Sequence, residues 1–157
     1  MDALLGEYYA MMTSRIEAMG GTAPAGGQHA IEEFWDEIDL FLPPHGRLYL
    51  AKADDGVLLG CGSLKPIDAD RAELKRLFVR PGARGLGIGR KLVELRINAA
   101  REMGLRELLV DTLKNNVEMQ GLYGKLGFKR IDLYRESATY RLVPELGPYL
   151  NFYSMKL

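Results

Sequence analysis

From Val79 to Arg90 the chain reads Val-Arg-Pro-Gly-Ala-Arg-Gly-Leu-Gly-Ile-Gly-Arg, with glycines at alternate positions 85, 87 and 89. A strand-like run precedes this segment and a helical pattern follows it, so its amides gather at the positive end of a helix dipole. Glycine at Gly85, Gly87 and Gly89 lets that backbone approach a phosphate with no side chain in the way. Arg84 and Arg90 add donors suited to phosphate oxygens. Three phosphate patterns compete here. The Walker pattern G-x-x-x-x-G-K-[ST] fails, because no Gly-Lys-Ser/Thr occurs in the chain. The dinucleotide pattern G-x-G-x-x-G fails at its third glycine, where Arg90 or Leu92 stands. R-x-x-G-x-G fits, with Arg84, Gly87 and Gly89. The plain alternative is a glycine-rich turn that only opens a helix.

Counting residue types removes other chemistries. The single cysteine, Cys61, excludes an internal disulfide framework and fits a reducing cytoplasm. With only His29 and His45 beside it there is no zinc-type cluster, and no metal is expected. A Ser-His-Asp hydrolase is not excluded by counting, but both histidines lie in a loop-rich stretch and no G-x-S-x-G occurs. No run of 18 apolar residues exists, so no membrane span is expected. The N-terminus lacks the basic and apolar regions of a secretion signal. At 157 residues, 47% hydrophobic and 27% charged, the chain reads as one domain, 1–157. Its net charge of zero hides an asymmetry: residues 1–70 carry 12 acidic and 4 basic side chains, residues 71–157 carry 17 basic and 9 acidic. That suggests one cationic and one anionic ligand, or simple surface decoration. Nucleic-acid binding is not expected, since the basic residues are scattered without aromatic interleaving.

The elements that must position the loop follow from periodicity. Leu4, Leu5, Tyr8, Tyr9, Met12, Ile16 and Met19 predict a first helix, stopped by Gly20-Gly21. A flexible loop is expected over residues 20–28. A second helix follows, with Ile31, Phe34, Trp35 and Ile38 on one face, Glu32 and Glu33 in its first turn, and Pro43-Pro44 after it. Arg47–Lys52, Val57–Lys65 and about Arg71–Arg80 read as an antiparallel meander. Leu92 to Met103 is a helix capped by Gly104, and Leu108-Leu109-Val110 a buried strand. Met119, Leu122, Tyr123 and Leu126 mark another helix, and Phe128–Tyr134 and Leu150–Leu157 the closing strands.

Three motifs stand in register: Ala72-Glu-Leu-Lys-Arg-Leu-Phe-Val-Arg-Pro81, the glycine loop, and Asn116-x6-Tyr123-x3-Gly127-Phe128. Together, over roughly residues 47–157, they resemble the GNAT-type N-acetyltransferases, which move acetyl from acetyl-CoA to an amine. The resemblance implies an α/β fold: a mixed, mostly antiparallel sheet flanked by helices and splayed between its fourth and fifth strands. Pantetheine would lie in that V, pairing with main-chain groups of Leu77, Phe78 and Val79. The pyrophosphate would sit on the loop Arg84, Gly85, Leu86, Gly87, Ile88, Gly89 and Arg90. Acetyl-CoA is then the cosubstrate. The usual first strand is missing, which leaves a sheet edge and an expectation of a homodimer.

The resemblance also assigns individual residues. Tyr123 matches a tyrosine near the CoA sulfur and is the candidate acid, although its spacing equally fits the helix core. Glu73, a carboxylate in mid-strand, is the candidate base, directly or through water; the alternative is a solvated residue or a salt bridge to Lys75 or Arg76. Asn116 matches an asparagine near the pantetheine arm, or caps a helix with Asn115. Cys61 reads as a small buried residue rather than a nucleophile. His29 and His45 read as exposed loop residues. Trp35, Phe34, Tyr8 and Tyr9 are core or walls of an acceptor pocket. The expected acceptor is a small-molecule or peptide amine, attacked directly in a ternary complex. Glu32, Glu33, Asp36, Glu37 and Asp39 suggest a cationic one. A non-catalytic acyl-CoA-binding or sensing module is the competing function.

Overall fold

The structure is a computed structural model that describes residues 1–24 and 27–157. Helix α1 (Asp2–Ala18) opens it, followed by α2 (Gly27–Asp36) and a 3-10 turn at Ile38–Phe41. The meander β1 (Arg47–Lys52), β2 (Leu58–Pro66) and β3 (Arg71–Val79) comes next. Then come α3 (Ile88–Glu102), β4 (Glu107–Leu113), α4 (Val117–Lys125), β5 (Lys129–Ile131), α5 (Ala138–Leu142) and β6 (Leu150–Lys156). The six strands form one sheet in the order β1-β2-β3-β4-β6-β5. All neighbours are antiparallel except β3 and β4. No helix among the described residues is long and apolar enough to cross a membrane.

The β3–β4 pair governs the shape. It is joined only where Arg71, Ala72 and Glu73 meet Glu107, Leu108 and Leu109. Beyond that point no ladder connects them, and a V-shaped crevice opens. In this chain's own count these are β3 and β4, the pair that the resemblance numbers fourth and fifth, because its first strand has no counterpart among the described residues. A bulge accompanies the opening: the β2–β3 register shifts between Cys61 and Ser63, and Arg76 takes a φ of 51°. Bulges bend a strand and increase its twist.

The sheet buries both faces. On one side α3 and α4 cover it, with Leu64, Leu74, Val93, Ile97, Ala100, Val110 and Tyr123 in a single cluster. On the other side α1 lies over Cys61 and Phe78, and α2 brings Phe34 against Phe41. Arg96 of α3 is wholly buried. It donates to the carbonyls of Leu92, Ser63 and Lys75, tying α3 to both strands at the bulge. Gly62 leaves room for it, since a Cβ there would sit 3.0 Å from Cζ of Arg96.

Three expectations need correction. The first closing strand is only Lys129–Ile131, and the chain then turns into α5, capped by the Ser137 hydroxyl, which accepts from the Tyr140 amide. A five-residue helix is too short to show a period, so it left no trace in the sequence pattern. The loop expected over 20–28 is shorter, because Gly27 and Gln28 already belong to α2; its Ala25 and Gly26 lie outside the described residues. Consequently His29 is helical and exposed, and Glu32 and Glu33 fall beyond the first turn, where the dipole no longer favours them.

Candidate active site

The crevice is walled by Tyr8, Met11 and Met12 of α1 and by Lys75, Arg76 and Leu77 of β3. Asp111 of β4, Asn116, Met119 and Tyr123 around α4, and Thr139 of α5 complete it. Tyr123 is buried, its ring 5.3 Å from that of Phe128 and 5.9 Å from that of Tyr153. Burial pushes its phenol up to about 12, although the charge of Arg96 pulls the other way. Among the described residues its hydroxyl has no hydrogen-bond partner, so a protonated donor stands at the crevice wall. Asn116 is the N-cap of α4 but makes no side-chain capping bond, which leaves its amide for the crevice. Asn115 is tied elsewhere, donating to the Arg15 carbonyl at 2.9 Å.

Glu73 does not line the crevice. It is 2% exposed and lies beneath it, accepting from the Tyr134 hydroxyl at 2.6 Å and from the Ala138 amide. Lys75 Nζ lies 3.6 Å from it. Burial raises its carboxyl above the ordinary value, with Lys75 opposing and Asp111 reinforcing the shift. The carboxylate at the crevice wall is Asp111, which accepts from Ser137 Oγ at 2.7 Å and Thr139 Oγ1 at 3.2 Å. Lys75 donates to Thr139 Oγ1 at 3.1 Å and lies 4.0 Å from Asp111, so one ammonium bridges the two acids. Sequence reasoning found Glu73 and offered Lys75 as its salt-bridge partner, the pair seen here, but missed Asp111, Tyr134, Ser137 and Thr139. For Asp111 the signal existed: a carboxylate between Val110 and Thr112 in an apolar strand is as unusual as Glu73 between Ala72 and Leu74.

The raised carboxyl of Glu73 has a consequence for stability. Its protonated form is the one the fold favours, so stability present below pH 4.5 is lost as pH climbs through the raised value. Asp68, Glu118 and Glu136 are held low by Arg71, by a backbone amide and again by Arg71, and they push in the opposite direction. Glu73→Gln keeps an acceptor for Tyr134 and removes the ionisation, together with the Lys75 ion pair and one acceptor oxygen. Its melting temperature relative to the parent is therefore expected to rise progressively from pH 4.5 upward. Melting curves at a series of pH values that stay parallel would refute this.

The glycine loop begins α3. Gly87 is the N-cap with φ 78°, a left-handed conformation that suits glycine, and no side chain caps the helix. The first intrahelical bond runs from Lys91 to the Gly87 carbonyl. The amides of Ile88, Gly89 and Arg90 therefore have no partner among the described residues, as at any uncapped helix start. Gly85 and Leu86 are exposed beside them. Arg84 folds back to the Val79 carbonyl at 3.1 Å, and Arg90 pairs with Glu94 at 2.7 Å. Phe78 and Val79 pair with Cys61 and Gly60 of β2, while their opposite edge, like that of Leu77, faces no strand. An extended ligand arm could add there, running towards the free amides.

Other candidates fall away from the crevice. Cys61 is buried against the Arg76 carbonyl, and burial pushes its thiol up to about 11, so it is no nucleophile at neutral pH. Glu32, Asp36, Glu37 and Asp39 are exposed and Glu33 is half-buried; none of the five lines the crevice. Glu37 is engaged by Lys65 at 2.6 Å.

Residues 9–128 match the model of the acetyltransferase (GNAT) family. An uncharacterised N-acetyltransferase of Schizosaccharomyces pombe is 33% identical over 108 residues, 68% of this chain and 66% of that protein. An IAA acetyltransferase of Azospirillum brasilense is 35% identical over 112 residues, 70% of this chain and 69% of its own. Among solved structures, a GNAT acetyltransferase of Staphylococcus aureus superposes with a TM-score of 0.71 at 24% identity, covering 99% of this chain and 92% of its own. One from Elizabethkingia anophelis with acetyl-CoA bound gives 0.63 at 25% identity and covers 83% of each chain.

Proposed function

This chain belongs to the GNAT acetyltransferase family, and from that premise we propose that it moves the acetyl group of acetyl-CoA to a primary amine, by direct attack in a ternary complex. The observation that carries the reading is the crevice itself: an unpaired strand edge, a phosphate-sized set of free amides at one end, and a phenol donor and a carboxylate, Asp111, at its wall. The donor supplies an activated thioester. The free amides of Ile88, Gly89 and Arg90, with Arg84 nearby, suit its pyrophosphate. The open edge of Leu77, Phe78 and Val79, together with Asn116, suits its amide-bearing arm.

In this reading the acceptor ammonium first gives up a proton. Asp111 meets it at the crevice wall. Glu73 acts behind Asp111 through Lys75 or an ordered water, because its burial denies it direct contact. The freed amine attacks the carbonyl carbon, the C–N bond forms, and the C–S bond breaks with its electron pair on sulfur. Tyr123 donates to the departing thiolate, its raised pKa keeping it protonated at the pH where the amine attacks, and the second proton shed by the attacking nitrogen returns through water to restore the phenol.

Acetyl-CoA mixed with a panel of primary amines is expected to release free thiol and yield N-acetylated product by mass spectrometry. Binding of acetyl-CoA with no thiol release from any amine would leave a binding or sensing module instead.

A further inference from the structure

Strand alternation would send Arg76 to the α3 side of the sheet, opposite Lys75. The bulge reverses this. With φ at 51° Arg76 joins Lys75 on the α1–α2 side, and a non-glycine residue held in that conformation is costly unless its surroundings fix it. They do. The guanidinium packs against a pair of contacting rings, its Cζ 4.9 Å from the Phe34 centroid and 4.8 Å from that of Phe41, and Nε donates to the Tyr9 hydroxyl at 3.2 Å. Among the described residues no carboxylate lies within ion-pair distance of it. The neighbouring basic groups differ: Arg80 pairs with Glu7, Lys65 with Glu37, and Lys75 with Glu73 and Asp111. Arg76 lines the crevice and is half-buried, and among the described residues its two terminal amino groups have no hydrogen-bond partner.

We propose that Arg76 anchors a carboxylate of the acceptor, so that the molecule acetylated is an amine that also carries a carboxylate, such as an amino acid. The proposal rests on the acetyltransferase reading and narrows it. A planar guanidinium fixed by two rings and a hydroxyl offers a parallel pair of donors, the geometry a carboxylate takes up best. Preorganisation matters, because the ordering of a long side chain has already been met by the fold. The acids that suggested a cationic acceptor do not oppose it, since none of them lines the crevice. Asp111, already held by Ser137 and Thr139, is left to the ammonium end of the same molecule.

The test compares glycine, β-alanine and 4-aminobutyrate with their primary amides as acceptors for acetyl-CoA. For at least one spacing, kcat/KM for the acid is expected to exceed that for its amide by about tenfold or more, the worth of a charge-assisted pair. In Arg76→Gln that ratio falls towards one, and in Arg76→Lys part of it survives. Amides equal to or better than acids in the parent, or an unchanged ratio in Arg76→Gln, would overturn the anchor. A second readout needs neither turnover nor a variant. Trp35, the only tryptophan, meets Phe34 edge-to-face with ring centroids 5.2 Å apart and reports on the ring that holds Arg76. With CoA present, the N-acetylated acids should quench it at concentrations about tenfold below their amides. Equal titrations refute the anchor. Tighter acids with no turnover of any amine would keep the anchor and refute the acetyltransferase reading.

Discussion

Tyr123→Phe is expected to lower turnover by on the order of 10²–10⁴-fold, the usual contribution of a positioned proton donor, while acetyl-CoA affinity hardly changes. The substitution removes one oxygen and keeps the ring that packs on Phe128 and Tyr153. Since the hydroxyl has no partner among the described residues, its loss orphans nothing and the fold should melt where the parent does. Tyr134→Phe is the informative contrast: there the lost hydroxyl donates to buried Glu73 at 2.6 Å, so stability must fall. Steady-state kinetics with calorimetric titration of acetyl-CoA separates the effects. Undiminished kcat in Tyr123→Phe would remove the donor role and return Tyr123 to the core.

Much of this was legible because it is local or periodic. The meander, α3 and α4 come from apolar spacing and turn residues, and the glycine loop from a motif whose uncapped amides appear as expected. Glu73 stood out because a carboxylate is rare in mid-strand. What stayed hidden depends on distant residues meeting. Helix α5 is one turn long and has no pattern, yet it brings Thr139 to Lys75 and Ser137 to Asp111 across separations of 64 and 26 residues. Without it Glu73 reads as a base open to substrate, whereas the structure seals it under Tyr134 and the start of α5.

The bulge is the second hidden feature. A period of two assigns Arg76 to one face, and a single φ in the left-handed region moves it to the other. The acidic run from Glu32 to Asp39 misled for the opposite reason. Composition gives the number of charges but not which way a helix turns them, and α2 uses Ile31 and Phe34 to bind the core while most of its acids face water. The crevice charge is set by three residues, Lys75, Arg76 and Asp111.

Gly89→Asp should tell the phosphate cradle from a mere helix start, because the two assignments demand opposite signs. Gly89 is the second residue of α3, and its Cβ would lie 3.7 Å from Val79 Cγ2, an ordinary contact with no clash. An acid in the first turn meets the positive end of the dipole, which stabilises the ligand-free protein by about 0.3–1 kcal/mol. For a chain of this size that is a rise of roughly 1–4 °C in melting temperature. The same carboxylate would stand among the amides assigned to the pyrophosphate. Two like charges about 4 Å apart at an effective dielectric of ~20 repel by about 4 kcal/mol before salt screening. Acetyl-CoA affinity should therefore fall by on the order of 10²-fold, and the loss should shrink as salt rises. S-acetylpantetheine, which carries no phosphate, supplies the control: its use as a donor should be nearly indifferent to the substitution. A more stable protein that binds acetyl-CoA as before would show that these amides begin a helix and do nothing else.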